Sequence, residues 1–316
     1  MRPLWKDILA AVWLGMILPG IVLQGFVLKE RYRSRSSEPK PQVAQVIRCT
    51  RSIPVRGPDG KQEDMDLDTY LTGVLLAEMP AEFHEEALKA QAVAARTYTW
   101  KSYITGGKHG DGSVCTDAAC CQAYMDEASY LSCGGTEAAI EKMRFAAEAT
   151  SDIVLAYEGE LIEATYFSSS GGSTEEAAAV WGADYPYLQA VSSPEEVFTD
   201  SVTYTAEEFR KRIGKELPGD PETWFHSVNY TEGGGVASME ICGEGYTGVE
   251  LRTLLGLRST AFQIQTNDQT VIFTTKGYGH RVGMSQYGAN TMAEAGMCYQ
   301  KILQHYYPGT VLIPLE

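Results

Sequence analysis

Basic residues are scarce in this chain: 26 Lys and Arg stand against 41 Asp and Glu, a formal charge of −15. Nucleic-acid partners are excluded on that ground, because phosphate backbones are held by clustered cations whose counterion release drives binding. Internal repeats and long low-complexity tracts are missing as well, so solenoid architectures drop out. No Gly-Lys-Ser/Thr occurs in the glycine-rich stretch 277–289, which excludes a phosphate loop. His84-Glu85 begins like the zinc-protease motif His-Glu-x-x-His, but Leu88 occupies the second histidine's place. The strand–helix alternation of a nucleotide-binding fold is lacking too.

What is present begins with an uncharged run from Ile8 to Leu28, which as a helix spans about 30 Å, one bilayer core. No small-x-small cleavage site follows Leu28, so the run reads as a single transmembrane helix rather than a signal peptide. Residues 1–7 form a short N-terminal flank, and 29–45 a polar, proline-bearing linker. The body then runs over 46–316, with a possible smaller lobe at about 197–270. Arg2 and Lys6 flank one side of the apolar run, and Lys29, Arg31, Arg33 and Arg35 the other. Charge alone would therefore keep the body in the cytoplasm.

Within the body, helices come first and strands later. The expected class is α+β: a helical segment packed on a mainly antiparallel β body. Asp68 is placed to cap a helix over Thr69–Met79 that Pro80 ends, and a second helix is expected from about Glu82 to Tyr103. The alanines of the second helix form a seam suited to close packing. A third helix is expected at Thr136–Thr150, and two short ones near Ala206–Ile213 and Gly248–Leu255. Strands are expected at Ile153–Tyr157, Leu161–Phe167, Phe225–Tyr230, Val236–Cys242, Phe262–Thr266 and Val271–Thr275.

Glu78 stands out on the first helix. Leu75, Val74 and Leu71 share its face, so its carboxylate projects from an apolar stripe in the last turn, where the helix dipole is negative. Both effects disfavour the ionised form and suit a general acid. The alternative is a Glu that pairs with Arg96 of the next helix and only holds the fold.

Seven cysteines are an odd number, so not all can pair within the chain. His109, Cys115, Cys120 and Cys121 crowd one short loop. This set matches the tetrahedral N/S preference of Zn2+, while a Cys115–Cys121 disulfide is the competing reading. Cys49, Cys133, Cys242 and Cys298 have no assignable partner. Two glycine-rich segments complete the inventory: Tyr166-Phe-Ser-Ser-Ser-Gly-Gly-Ser-Thr174, and the stretch from Gly277 to Ala289 that carries His280, Ser285, Gln286 and Tyr287. The first offers short polar groups and exposed backbone to a polar ligand, with a plain turn as the competing reading, and the second carries side chains suited to hydrogen bonding.

The stretches Tyr70–Pro80 and Glu86–Tyr98, the two glycine-rich segments and the C-terminal run Ala293–Gly309 together resemble the stage II sporulation protein D family, over nearly everything after Pro54. The resemblance implies a peptidoglycan lytic transglycosylase with Glu78 as its acid. It further implies sugar contacts from Arg96, Tyr166, Ser168, Ser169, Ser170, His280, Ser285, Gln286 and Tyr287. A structural zinc is implied too, although the family's His stands where this chain has Cys120. Implied partners are glycan strands stripped of stem peptides, the membrane, and stage II sporulation proteins P and M. The body would then lie outside the cytoplasm, facing the space between the engulfing membranes. Relatives sharing the domain also include non-catalytic amidase enhancers, and a purely structural role in the engulfment complex is the third reading. Arg281 stands where the family usually has Gly, so a left-handed backbone there would be strained.

Overall fold

The computed structural model describes residues 52–315. The expected membrane helix, the linker and Cys49 lie outside the described residues, among which no helix is long and apolar enough to cross a membrane. The described body is α+β, with several small and mostly antiparallel sheets.

Helix α1 spans Leu67–Glu78 and buries Tyr70, Leu71, Val74 and Leu75. Its cap is Asp66, whose carboxylate accepts the Thr69 N–H at 3.0 Å, not Asp68 as the sequence led us to expect. Asp68 is drawn into the first turn because Arg96 and the Ser151 hydroxyl donate to it, at 3.1 and 2.9 Å. Pro80 closes the helix as expected. Helix α2, Glu85–Thr105, starts at the His84 cap, later than expected, because the Phe83 N–H is taken by Pro80 O in a tight turn (3.1 Å). Its alanines are buried, and the helix Glu137–Glu148, capped by Thr136, packs on both α1 and α2.

Strand Ser52–Arg56 pairs antiparallel with Gln62–Asp66 and parallel with Val114–Cys115, which anchors the cysteine loop. Ile153–Tyr157 pairs with Val311–Pro314 and Glu160–Leu161. The strand expected over Leu161–Phe167 is interrupted. A turn from Glu163 to Thr165 intervenes, and the Glu163 N–H is claimed by the Tyr187 hydroxyl (3.1 Å). Only Tyr166–Phe167 resumes, parallel to Met284–Ser285, so the two glycine-rich segments lie side by side.

Thr270–Lys276 is the centre of an antiparallel sheet flanked by Thr199–Thr205 and Phe262–Thr266. A further antiparallel sheet joins Phe225–Tyr230, Val236–Ile241 and Glu244–Thr247. The helices Ala206–Ile213 and Gly248–Leu255 open on reciprocal caps, Thr205 with Glu208 and Thr247 with Glu250, and end on left-handed glycines. Two hydrophobic cores result. The larger gathers α1, α2 and the C-terminal helices, and the other gathers apolar residues between Tyr204 and Phe273.

Candidate active site and metal centre

Glu78 ends α1, half-buried, with each carboxylate oxygen addressed by one neutral donor. Oε1 accepts from the Ala123 N–H (3.1 Å) and Oε2 from Gln286 Nε2 (3.2 Å). Burial pushes its pKa above the usual carboxylate range, and the two donors only partly oppose that shift. No cation pairs with it among the described residues. Arg96 instead lies fully buried, donating to Asp68, Thr150 O (2.7 Å) and Ala147 O (2.8 Å). The ion-pair alternative for Glu78 therefore fails. The expectation of a sugar contact from Arg96 is corrected as well, since its guanidinium is committed to Asp68 and backbone carbonyls in the interior and is not in the cavity wall.

Tyr166 stands beside the acid. Its hydroxyl donates to Gln122 Oε1 (2.9 Å), while Gln122 Nε2 donates to Thr99 Oγ1 (2.8 Å) and Tyr70 Oη (3.2 Å). Burial, reinforced by the nearby Glu78 charge, holds the Tyr166 phenol well above its usual range, so it stays a neutral donor. Gln122 and Ala123 were invisible in the sequence, because they act through a position next to the cysteine loop and, for Ala123, through its backbone.

Gln286 opens the helix Gln286–Glu294. The Ser285 hydroxyl caps that helix, accepting from the Gly288 N–H (3.1 Å) and donating to Glu195 Oε1 (3.0 Å). Glu195 is buried and also receives the Ser170 N–H and the Ser193 hydroxyl. The sequence reading missed this acid altogether, since a lone Glu in a Ser-Pro loop carries no periodic or motif signal.

Of the three serines expected to face a ligand, Ser168 is partly exposed, whereas Ser169 and Ser170 are buried. Ser170 Oγ is turned inward onto the Gly172 N–H (3.0 Å), which makes it a builder of the turn. Ser169 exchanges backbone hydrogen bonds with Tyr278 (3.1 and 2.7 Å), and its Oγ has no partner among the described residues. Tyr287 packs edge-on against Phe83 and Phe198 and donates its N–H to Ser168 O (3.1 Å). His280 sits against Phe167 and Trp181. Burial, together with the Arg252 charge, lowers its pKa to about 4, so it is neutral at physiological pH.

Arg281 does adopt a left-handed backbone, with φ of 67°. Contacts on every side hold it there: Nη1 pairs with Glu175 (2.9 Å), Nε donates to Ser170 O (2.7 Å), and Nη2 donates to Ser173 O (2.8 Å) and Gly233 O (2.7 Å).

Beside the site, a cavity of about 290 Å3 is lined by residues including Ser168, Ser169, Phe198, Arg258, Tyr278 and Tyr287. Glu78 is not in its wall, but Tyr287 directly follows Gln286, the residue bonded to Glu78.

His109, Cys115, Cys120 and Cys121 bring their ligand atoms within 4.8 Å of one another. Around a tetrahedral Zn2+, with Zn–S of ~2.3 Å and Zn–N of ~2.0–2.1 Å, donor atoms lie roughly 3.5–3.8 Å apart. His109 Nε2 is 3.8 Å from Cys120 Sγ and 3.6 Å from Cys121 Sγ, and the two sulfurs are 3.9 Å apart. All three cysteines are free thiols, so the disulfide alternative is not realised. The cluster is thus able to bind a metal such as zinc.

Residues 59–157 match the family described as Stage II sporulation protein. The chain is 36% identical over 314 residues to stage II sporulation protein D of Bacillus amyloliquefaciens, covering 93% of this chain and 91% of that protein. It is 37% identical over 285 residues to stage II sporulation protein D of Bacillus subtilis, covering 87% and 83%. An amidase enhancer of Bacillus subtilis is 32% identical over 299 residues, covering 77% of this chain and 40% of that protein.

Proposed function

This chain belongs to the stage II sporulation protein D family, and on that premise we propose that it is a lytic transglycosylase acting on glycan strands stripped of stem peptides during forespore engulfment. The observation that carries this reading is Glu78 itself: a half-buried carboxyl with a raised pKa, two neutral donors and no cation partner among the described residues.

Such a group remains partly protonated above the range of a free Glu and hands its proton to the glycosidic oxygen as the C1–O bond breaks. Most glycosidases pair two carboxylates to manage acid and nucleophile. Here the C6 hydroxyl of the same sugar closes on C1 and returns its proton to Glu78, leaving a 1,6-anhydro end. Gln286 and the Ala123 N–H steady the carboxylate between the two transfers, and the Tyr166 phenol remains a neutral neighbour. With one acid taking both proton steps, no second carboxylate is required.

His109, Cys115, Cys120 and Cys121 would hold zinc with every tetrahedral position filled by protein, which leaves it a structural role. Cys121 stands two residues before Ala123, so fixing the loop fixes the N–H on Glu78. In this reading the chain is a single-pass protein of the cell membrane with its body on the extracytoplasmic side. Stage II sporulation protein P supplies stripped strands, and stage II sporulation protein M assembles the complex.

Likeness to an amidase enhancer supports a second, non-catalytic reading. Mass spectrometry of stripped strands incubated with the purified chain separates the two. New 1,6-anhydro ends that are absent with Glu78→Gln are expected. Reducing ends would mean a hydrolase, and intact strands would favour the enhancer.

A further inference from the structure

The cavity beside the acid has a composition that a neutral sugar does not need. Phe198 and Tyr278 stand at it 44% and 48% exposed, offering ring surface that a flat partner can cover. The Arg258 guanidinium lies over the Tyr278 ring, 5.0 Å from its centroid, and Asp200 accepts its Nε–H at 2.7 Å. Held on one edge and one face, the guanidinium keeps its Nη edge without a carboxylate partner among the described residues. Ser169, 1% exposed, adds an Oγ in the same wall that has no hydrogen-bond partner among the described residues. A stacking face, a fixed guanidinium edge and an unpartnered hydroxyl together describe a receptor for a carboxylate carried on a sugar ring.

We propose that this cavity seats the lactyl carboxylate of a muramic acid residue from which the stem peptide has been removed, with Arg258 as its receptor. The inference rests on the glycan-cleaving reading above and adds the residue that selects stripped strands. On a strand still bearing peptides, the same position is an amide: it carries no charge to meet the guanidinium, and a peptide must fit where the carboxylate sat. The choice matters in a chain of net charge −15, which otherwise repels a polymer bearing a carboxylate on alternate sugars. Arg258 supplies a cation where the strand passes the start of the helix that Gln286 opens.

The test uses the purified full chain and two strand preparations: stripped strands as made, and the same strands with lactyl carboxylates converted to primary amides by carbodiimide and ammonia. For cleavage, kcat/KM on the carboxylate strands should exceed that on the amide strands by about tenfold. Arg258→Gln should remove that preference and Arg258→Lys should retain part of it. A wild type indifferent to the conversion, or an Arg258→Gln chain that still discriminates, overturns the proposal. A parallel arm measures binding of fluorescent strands to the Glu78→Gln chain, with and without Arg258→Gln. If the wild type cleaves nothing, the lytic reading has failed. The carboxylate preference in binding then decides the cavity by itself, standing if Arg258→Gln abolishes it and falling if it does not.

Discussion

Around Phe273 the interior is aromatic and aliphatic, whereas the interior beneath Glu78 admits Thr72, Gln91, Arg96, Thr97 and Thr99. In the first region rings meet rings: Phe209 lies 5.6 Å from Trp224 and 5.9 Å from Phe273, and Phe262 lies 5.6 Å from Phe273. Such packing is tolerant of detail and needs few directional bonds. In the second region, several buried polar groups are tied to particular partners, as Arg96 is to Asp68 and two carbonyls and Gln122 is to Tyr166, Tyr70 and Thr99, while the Gln91 amide finds none among the described residues. Polar groups in an interior are costly unless satisfied, and when satisfied they fix geometry. One core holds the chain together, and the other also fixes the surroundings of Glu78.

The comparison breaks most sharply at Glu78. Replacing it with Gln should lower glycan cleavage by about 10^3-fold, the span of a general acid, with the fold retained. Because its folded pKa is raised, the protonated, active form is complete at low pH and is lost as pH rises through that raised value. The same sign governs stability: ionising Glu78 in its buried site is unfavourable, so stability declines over that window in the wild type and not in Glu78→Gln. Paired pH–rate and pH–melting curves read both effects.

Phe273→Ala should cost about 3 kcal/mol of unfolding free energy by opening a cavity among rings, seen in the urea midpoint. Its kcat at low temperature should be nearly unchanged, whereas a large loss of kcat would mean that the two regions are not separable. Removing metal with a chelator should cost about 2.7 kcal/mol if the ion is present at a hundredfold its Kd. The cost should be absent in Cys121→Ser, and kcat should fall because the loop carrying Ala123 loosens. Calorimetry with metal analysis checks this. The smallest effect belongs to Glu195→Gln, which keeps the shape but weakens the bond to Ser285. A drop of about tenfold in kcat with KM little changed is expected, since Glu195 is buried and stands outside the cavity wall.

Short-range grammar made Glu78 and the metal loop readable. An apolar stripe ending at Pro80 exposes one carboxyl, and four ligand types crowd a single loop. The helices at 206–213 and 248–255 were readable for the same reason, with caps and closing glycines local to each. What escaped depends on partners far along the chain. Asp68 reads as the cap until Arg96, in another helix, claims it and leaves the role to Asp66. Arg96 itself read as a partner for Glu78 or a sugar-facing cation, because the carbonyls that bury it belong to Ala147 and Thr150. The strand at 161–167 is broken by Tyr187, and Glu195 gains meaning only once Ser170, Ser193 and Ser285 converge on it.

Arg281 carries a lesson for anyone redesigning this scaffold. Restoring the glycine its backbone angle invites would relax one residue yet strand Glu175, a carboxylate with 0% exposure, without its counter-ion. Positions 175 and 281 therefore behave as a single heritable unit: either both are edited in the same step, or neither tolerates editing.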